Sequence, residues 1–251
     1  MHPFRLPIAV AIGILVSFGL ETESSGSVVL WAWERPEDFR FLKAPYPGIA
    51  YWTGTFRIAA RSSSRDLELS LHRRRQALEV PTGVHLMPVL RIEIPQALPA
   101  DRLSGAAASR FAEAIWATVE TESSEGLQID FDARKSERSF YLHVLRRLKT
   151  LLGSRRRLSM TALASWCFDD RWLNGTPADE VVPMFFRMGA DTSRIRSALE
   201  SGVRIPEPLC RKATGLSIDE TWKSPIAHTS NPTYIFNPQP WKSGDPIGDI
   251  R

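Results

Sequence analysis

Eight short apolar runs recur along this chain with longer segments between them, and that recurrence limits its fold more than any other feature. The runs are SVVLWAW, GIAYWTGTF, HLMPVLRIEI, GLQIDFDA, RLSMTALASW, EVVPMFFRMG, GLSIDE and TYIFN. Apolar runs of this length, rich in β-branched and aromatic residues, read as strands. Long connections between them read as the crossovers that parallel strands require. Some of those connections carry a helical apolar period. Phe111, Ile115 and Val119 share one face of a stretch from Ser104 to Glu122. Tyr141, Leu145, Leu148 and Leu152 do the same from Ser136 to Leu152, and a further helix is expected over Thr192 to Ser201. The expected fold is α/β, a (β/α)8 TIM-like barrel.

The alternation is imperfect, so the barrel is expected to be short and irregular. Between the second and third strands, DLELSLHRRRQALEV alternates with period two. That pattern predicts a β-hairpin-like insertion instead of a helix. The last strands have little helix between them. An open doubly wound sheet is the alternative, but it leads one to expect a glycine-rich first turn, which this chain lacks. GLETESSG and GSRRRLS have neither the spacing nor the context of a phosphate-binding loop.

The first residues stand apart. His2 and Arg5 flank the start of an apolar stretch, LPIAVAIGILVSFGL, and the polar ETESSGS follows. A basic start before a short apolar region reads as a secretory signal peptide. The stretch is short for a spanning helix, which needs about 20 residues. No clear small-x-small cleavage site follows, so an uncleaved anchor stays open. Residues 1–24 are thus expected to be a signal peptide or anchor, and residues 25–251 a single barrel domain. The expected location is the periplasm or envelope, with membrane contact only through this segment.

Net charge is +4, and the basic residues are clumped at Arg73 to Arg75 and from Arg146 to Arg157. No binding motif or interleaved aromatic accompanies them. They read as solvated faces, and no nucleic-acid partner is expected. Cys167 and Cys210 either pair, in an oxidising compartment, or remain separate thiols. There is no CxxC or HExxH, and the five histidines are scattered. No metal site and no cofactor is therefore expected.

In barrels of this type the site lies at the C-terminal ends of the strands. Polar and aromatic residues gather at those ends here. The first strand ends in Trp33 and Glu34, and the third in Arg91 and Glu93. The fifth ends in Trp166, the sixth in Arg187, the seventh carries Asp219, and the eighth ends in Asn237, followed by Trp241. The fourth strand is the sharpest case. Side chains alternate faces along a strand. In LQIDFDA, Leu127, Ile129 and Phe131 should meet helices, while Gln128, Asp130 and Asp132 face the barrel interior. Two carboxylates on one buried face are costly unless paired or used. They form either an ionic lattice with Arg91 and Arg187 or part of a ligand site.

The segments VVLWAWERPEDFRFL, LQIDFDARKSERSFY, LSMTALASWC and VVPMFFRMG together resemble an uncharacterised bacterial family, the domain of unknown function 3142. The resemblance spans most of the chain after the apolar start and implies no particular chemistry. More distantly, the IDFD strand resembles the acidic fourth strand of chitinase-like glycoside-hydrolase barrels. That resemblance implies a catalytic Glu two residues past the last Asp, where this chain has Arg134.

The leading expectation is a glycoside-hydrolase-like enzyme acting on envelope or extracellular carbohydrate, since glycoside cleavage commonly uses two carboxyl groups. Asp132 is the expected acid, with Glu34 or Glu93 as its partner and Asp130 tuning it. Trp33 and Trp166 would stack on sugar faces, while Arg91 and Arg187 would fix hydroxyl or acidic groups. Gln128, Asp219, Asn237 and Trp241 complete the expected substrate-binding set. The alternative from another class is a non-catalytic envelope barrel that binds carbohydrate or a protein. A third reading is metal-assisted hydrolysis through Asp130, Asp132 and Asp219, which lacks a nearby histidine ligand.

Overall fold

The structure is a computed structural model that describes residues 28–62, 64, 66–122, 124–220, 222, 225 and 231–248. The expected export segment lies outside them. In chain order the strands are β1 (Val28–Ala32), β2 (Glu37–Asp38), β3 (Gly48–Ala60), β4 (Leu67–Arg73), β5 (Leu78–Glu79), β6 (Leu86–Glu93), β7 (Gly126–Asp130), β8 (Arg157–Leu163), β9 (Glu180–Met184), β10 (Thr214–Ser217) and β11 (Thr233–Phe236). The helices are α1 (Gly105–Val119), α2 (Arg138–Leu152), α3 (Ala164–Phe168) and α4 (Thr192–Glu200).

Eight of these strands run parallel in the order β1-β3-β6-β7-β8-β9-β10-β11, and β11 pairs back onto β1. The sheet is therefore a closed (β/α)8-type barrel. All eight apolar runs of the sequence contribute one barrel strand each. Closure through the parallel pairing Val29↔Gly48 to Ala32↔Tyr51 rules out an open doubly wound sheet.

The irregularity has a definite form. β3 runs on past the barrel wall, and its outer half, Gly54 to Ala60, pairs antiparallel with β4. The hairpin foreseen between the second and third barrel strands thus exists, but its first strand is the overhang of β3. The DLELSLHRRRQALEV segment does not fold back on itself. Its far end instead forms β5, which pairs parallel with β2.

Helices cover half of the barrel. Ser104 caps α1 by accepting from the Ala107 amide, and the buried face of α1 carries Phe111, Ile115 and Val119. Those residues join Tyr141, Val144, Leu145 and Leu148 of α2 and the outward side chains of β6, β7 and β8 in one core. A side-chain oxygen that accepts from the N3 amide removes one of the unpaired donors of a helix start. On the side without long helices, Phe39 and Trp241 cover Leu30, Ile49 and Ile235. A separate cluster fills the barrel itself, built on Trp31, Ala50, Val89, Val182 and Tyr234. Gly215 makes room for it, because a Cβ there would lie 3.1 Å from the Trp31 ring and 2.9 Å from the Pro183 carbonyl oxygen. Cys167 of α3 and Cys210 are joined in a disulfide, so of the two states left open for these cysteines the structure has the paired one.

Candidate functional site

The pleat of β7 sets the site. Leu127, Ile129 and Phe131 pack with α1 and α2 in the outer core, and Gln128 is fully buried within the barrel. Asp130 ends the strand, and Asp132 follows it, open to solvent. This is the register that the alternation in LQIDFDA predicts; a slip of one residue would have exchanged the two sets.

Asp130 and Asp132 lie on a cleft of about 400 Å³ at the C-terminal ends of the strands. Trp31, Trp33, Phe186 and Phe236 form its aromatic wall, with Arg187 at the rim. Phe186 and Phe236 stack at 5.5 Å between ring centres, and Trp33 meets Phe236 edge-on at 6.4 Å. A second hollow of about 340 Å³ adjoins the first and shares Arg91, Asp130 and Asp132 with it.

The two aspartates differ in their surroundings. Asp130 is buried; Thr161 Oγ1 donates to its Oδ1 at 2.7 Å, and Arg91 Nη1 lies 3.8 Å from Oδ2. Burial pushes its carboxyl above the usual carboxylate range, and the Arg91 charge and the Thr161 hydroxyl draw it back. Asp132 accepts no side-chain or backbone hydrogen bond among the described residues. Desolvation by the cleft walls and the Asp130 charge push its carboxyl up to about 6, against the pull of Arg91. Burial thus pushes both carboxyls towards the protonated form, one hydrogen-bonded in the wall and the other open to the cleft. Behind them the Tyr141 hydroxyl is buried with no hydrogen-bond partner among the described residues.

Gln128 does not face the cleft. Trp31 Nε1 donates to Gln128 Oε1 at 2.7 Å, and Gln128 Nε2 donates to Ser159 Oγ at 3.0 Å. Ser159 Oγ and the Tyr234 hydroxyl both donate to Glu180 Oε1, at 3.0 and 2.6 Å. Arg157 Nη2 reaches Glu180 Oε2 at 3.1 Å. Gln128 is thus one link of a buried polar chain that fixes Trp31 at the cleft floor. Burial without a partner would be costly for each member.

The other expected site residues divide. Trp33, Arg91 and Arg187 line the cleft, and Glu93 lines the second hollow. Arg187 holds a left-handed backbone, φ 50°, a region that favours glycine. Its amide donates to Glu220 Oε1 at 2.7 Å, and its guanidinium lies over the Phe236 ring. Glu34 sits away from the cleft, against His72 Nε2 at 2.6 Å. Asp219 accepts from Ser217 and Arg187 and does not line the cleft. Three residues depart further from expectation. Trp166 lies on α3 and not at a strand end, because β8 stops at Leu163; its ring turns into the outer core against Trp172 at 4.7 Å. Asn237 is buried and braces the last loop through Asp245 and the Gln239 amide. Trp241 is buried with its Nε1 donating to the Trp31 carbonyl. Among the described residues no group of three His, Cys, Asp or Glu side chains is placed to hold a metal ion.

Thr161, Phe186 and Phe236 belong to the site and were not singled out from the sequence. A signal was present for Thr161, which shares a face with Ser159 in the alternation of RLSMTALASW. Arg134 points to a further difference. Its amide donates to Glu137 Oε2 at 2.8 Å and its Nη1 to Oε1 at 2.7 Å, so the buried Glu137 carboxylate closes the start of α2.

No family model matches the chain and no curated protein matches it. The resemblance to the domain of unknown function 3142 therefore gains no support from either comparison. Among solved structures, the chain is similar to a chitinase from Rhizomucor miehei, with 13% identity and a TM-score of 0.46 over 76% of this chain and 68% of the other. It is also similar to the spore cortex-lytic enzyme of Bacillus cereus, with 17% identity and a TM-score of 0.47 over 77% of this chain and 52% of that one. A third similar structure is an endo-beta-N-acetylglucosaminidase from Cordyceps militaris, with 12% identity and a TM-score of 0.44 over 84% and 81%.

Proposed function

We propose that the protein takes a carbohydrate into the strand-end cleft and cleaves a glycosidic bond with Asp132 as proton donor. One observation carries this reading: Asp132 faces the open cleft, free of hydrogen-bond partners among the described residues, with its carboxyl pushed up to about 6. A general acid works best when its pKa lies near the working pH. Asp130, buried and held by Thr161, keeps a second carboxyl beside it and thereby favours the protonated form. Trp31, Trp33 and Phe186 give the cleft an aromatic wall against which a sugar ring can lie. Of the two expected partner acids, Glu93 is the one that borders this region, and it takes the role of second carboxylate.

Hydrolysis of a panel of envelope polysaccharides tests the proposal. Asp132→Asn should lower turnover by about 10²–10⁴-fold; equal turnover by both proteins refutes the role. Two observations favour a second reading, a barrel that binds carbohydrate without cutting it. Arg134 stands where the chitinase-like pattern has its catalytic Glu, and Glu93 is engaged by Arg57 and Arg91. In that case the panel shows retention of a glycan with no new reducing ends. We further propose that the protein works outside the cytoplasm. The Cys167–Cys210 disulfide supports that location, since such bonds persist in oxidising compartments.

A further inference from the structure

The two arms of the cleft differ in chemistry, and they meet at Asp132. One arm is aromatic, as described above. The other is lined by Arg57, Arg91 and Arg134, and by Glu93, Glu137 and the two aspartates. At its outer end Glu93 meets two guanidinium groups, Arg57 Nε at 2.9 Å and Arg91 Nε at 3.3 Å. Both contacts use Nε. The Nη atoms of Arg57 make no hydrogen bond among the described residues, whereas Arg91 approaches Asp130 through Nη1 at 3.8 Å and lies over the Trp33 ring at 5.7 Å. Both side chains are partly open to solvent, at 64% and 37%. Arg134 is different, because the buried Glu137 already engages it.

We propose that the carbohydrate bears a carboxylate, as in a uronic acid, and that Arg57 and Arg91 recognise it in the second arm. This rests on the carbohydrate-binding reading above. A guanidinium presents parallel N–H donors in a fork that matches a carboxylate, and such charge-assisted pairs are stronger than neutral ones. Glu93 holds both guanidinium groups through Nε, which leaves the Arg57 Nη donors for a ligand, with the part-exposed Arg91 beside them. The acid pair would repel a carboxylate set directly upon it, so the anionic group belongs at the Arg57 end, with a neighbouring sugar ring reaching Asp132 and the aromatic arm. The rim arginine of the first arm, Arg187, is already bound to Asp219 and is not an equivalent anion reader.

Binding of the full chain to an array of oligosaccharides tests the assignment. The array holds neutral tetrasaccharides (chitotetraose and cellotetraose), uronates (tetragalacturonate, tetramannuronate and hyaluronan tetrasaccharide) and a sulfated neutral backbone without uronate. Tetragalacturonate methyl ester serves as the uncharged copy of one uronate. Binding concentrated on the uronates is the expected result. Arg57→Gln should then weaken uronate binding by about tenfold or more, with a melting curve like the wild type. A preference for neutral or sulfated sugars overturns the carboxylate assignment and leaves the carbohydrate reading standing. No binding to any member of the array overturns both. Equal affinity of Arg57→Gln and wild type for the uronates also overturns it.

Discussion

Asp132→Asn discriminates between a site acid and a structural one through stability alone, before any substrate is known. A carboxyl whose folded-state pKa stands at about 6, against an ordinary value of 3.8, binds its proton more tightly in the folded protein. Its contribution to stability is fully present below pH 3.8, declines as pH rises towards 6, and is lost above it. Above that range the ionised Asp132 burdens the folded state. At full value the shift corresponds to about 3 kcal/mol. Asp132 is open to the cleft, and solvent screening reduces this to about 1 kcal/mol. Asparagine cannot ionise and displaces no hydrogen bond of the described residues, so the variant should be more stable than wild type at pH 8 by that amount. For a chain of this size about 1 kcal/mol raises Tm by roughly 2–4 °C. Paired thermal melts from pH 4 to pH 8 provide the measurement. The difference between the two proteins should vanish at pH 4 and grow through pH 6. If Asp132 were instead the counter-ion that holds Arg91, removing its charge would destabilise the protein at pH 8, by about 1 kcal/mol for so exposed a pair. A variant that melts well below wild type at pH 8 refutes the reasoning.

Two other substitutions probe the frame around the cleft. Gln128→Leu strips the Trp31 indole and Ser159 of their shared partner and should cost about 1–3 kcal/mol, read as a lower urea midpoint; an unchanged midpoint would show that the barrel chain carries no stability. Replacing Cys167 and Cys210 by serine opens a link between residues 43 apart in sequence and should cost roughly 2–4 kcal/mol. Protein recovered from the native host should carry this bond and fractionate outside the cytoplasm, and a reduced cytoplasmic product counts against the export proposal.

Much of the fold could be read from periodicity because burial follows it. The β7 register, the apolar faces of α1 and α2 and the eight strands all come from side chains sorted between two environments. What periodicity does not encode is where a strand stops. RLSMTALASW holds no glycine or proline, and nothing in it marks the passage from β8 into α3 after Leu163. The sequence therefore points Trp166 to a strand end, whereas one helical turn carries it to the far side of the wall. Alternation gives Gln128 its direction but not its height along the barrel axis, and the residue lies below the cleft. Arg74 belongs to a run of arginines that reads as a solvated face, yet its guanidinium donates to the carbonyls of Trp33, Arg35, Gln76 and Ala77. Two of these partners, Trp33 and Arg35, lie far away in sequence and leave no local trace.

Closing a sheet into a barrel removes its edges, but the overhang of β3 restores one. β4 pairs with β3 on one side and, among the described residues, with no strand on the other, so its outer backbone is a template on which another chain could lie. The segment LELSLHR places Glu68, His72 and Arg73 in exposed positions along that margin. Charged side chains beside open amides hinder a second strand from docking. Of the apolar residues there, Leu69 is already exposed. Neutral, β-branched replacements at Glu68 and Arg73 would turn the margin into an adhesive strip, with self-association by strand addition as the consequence even though the barrel itself would be untouched.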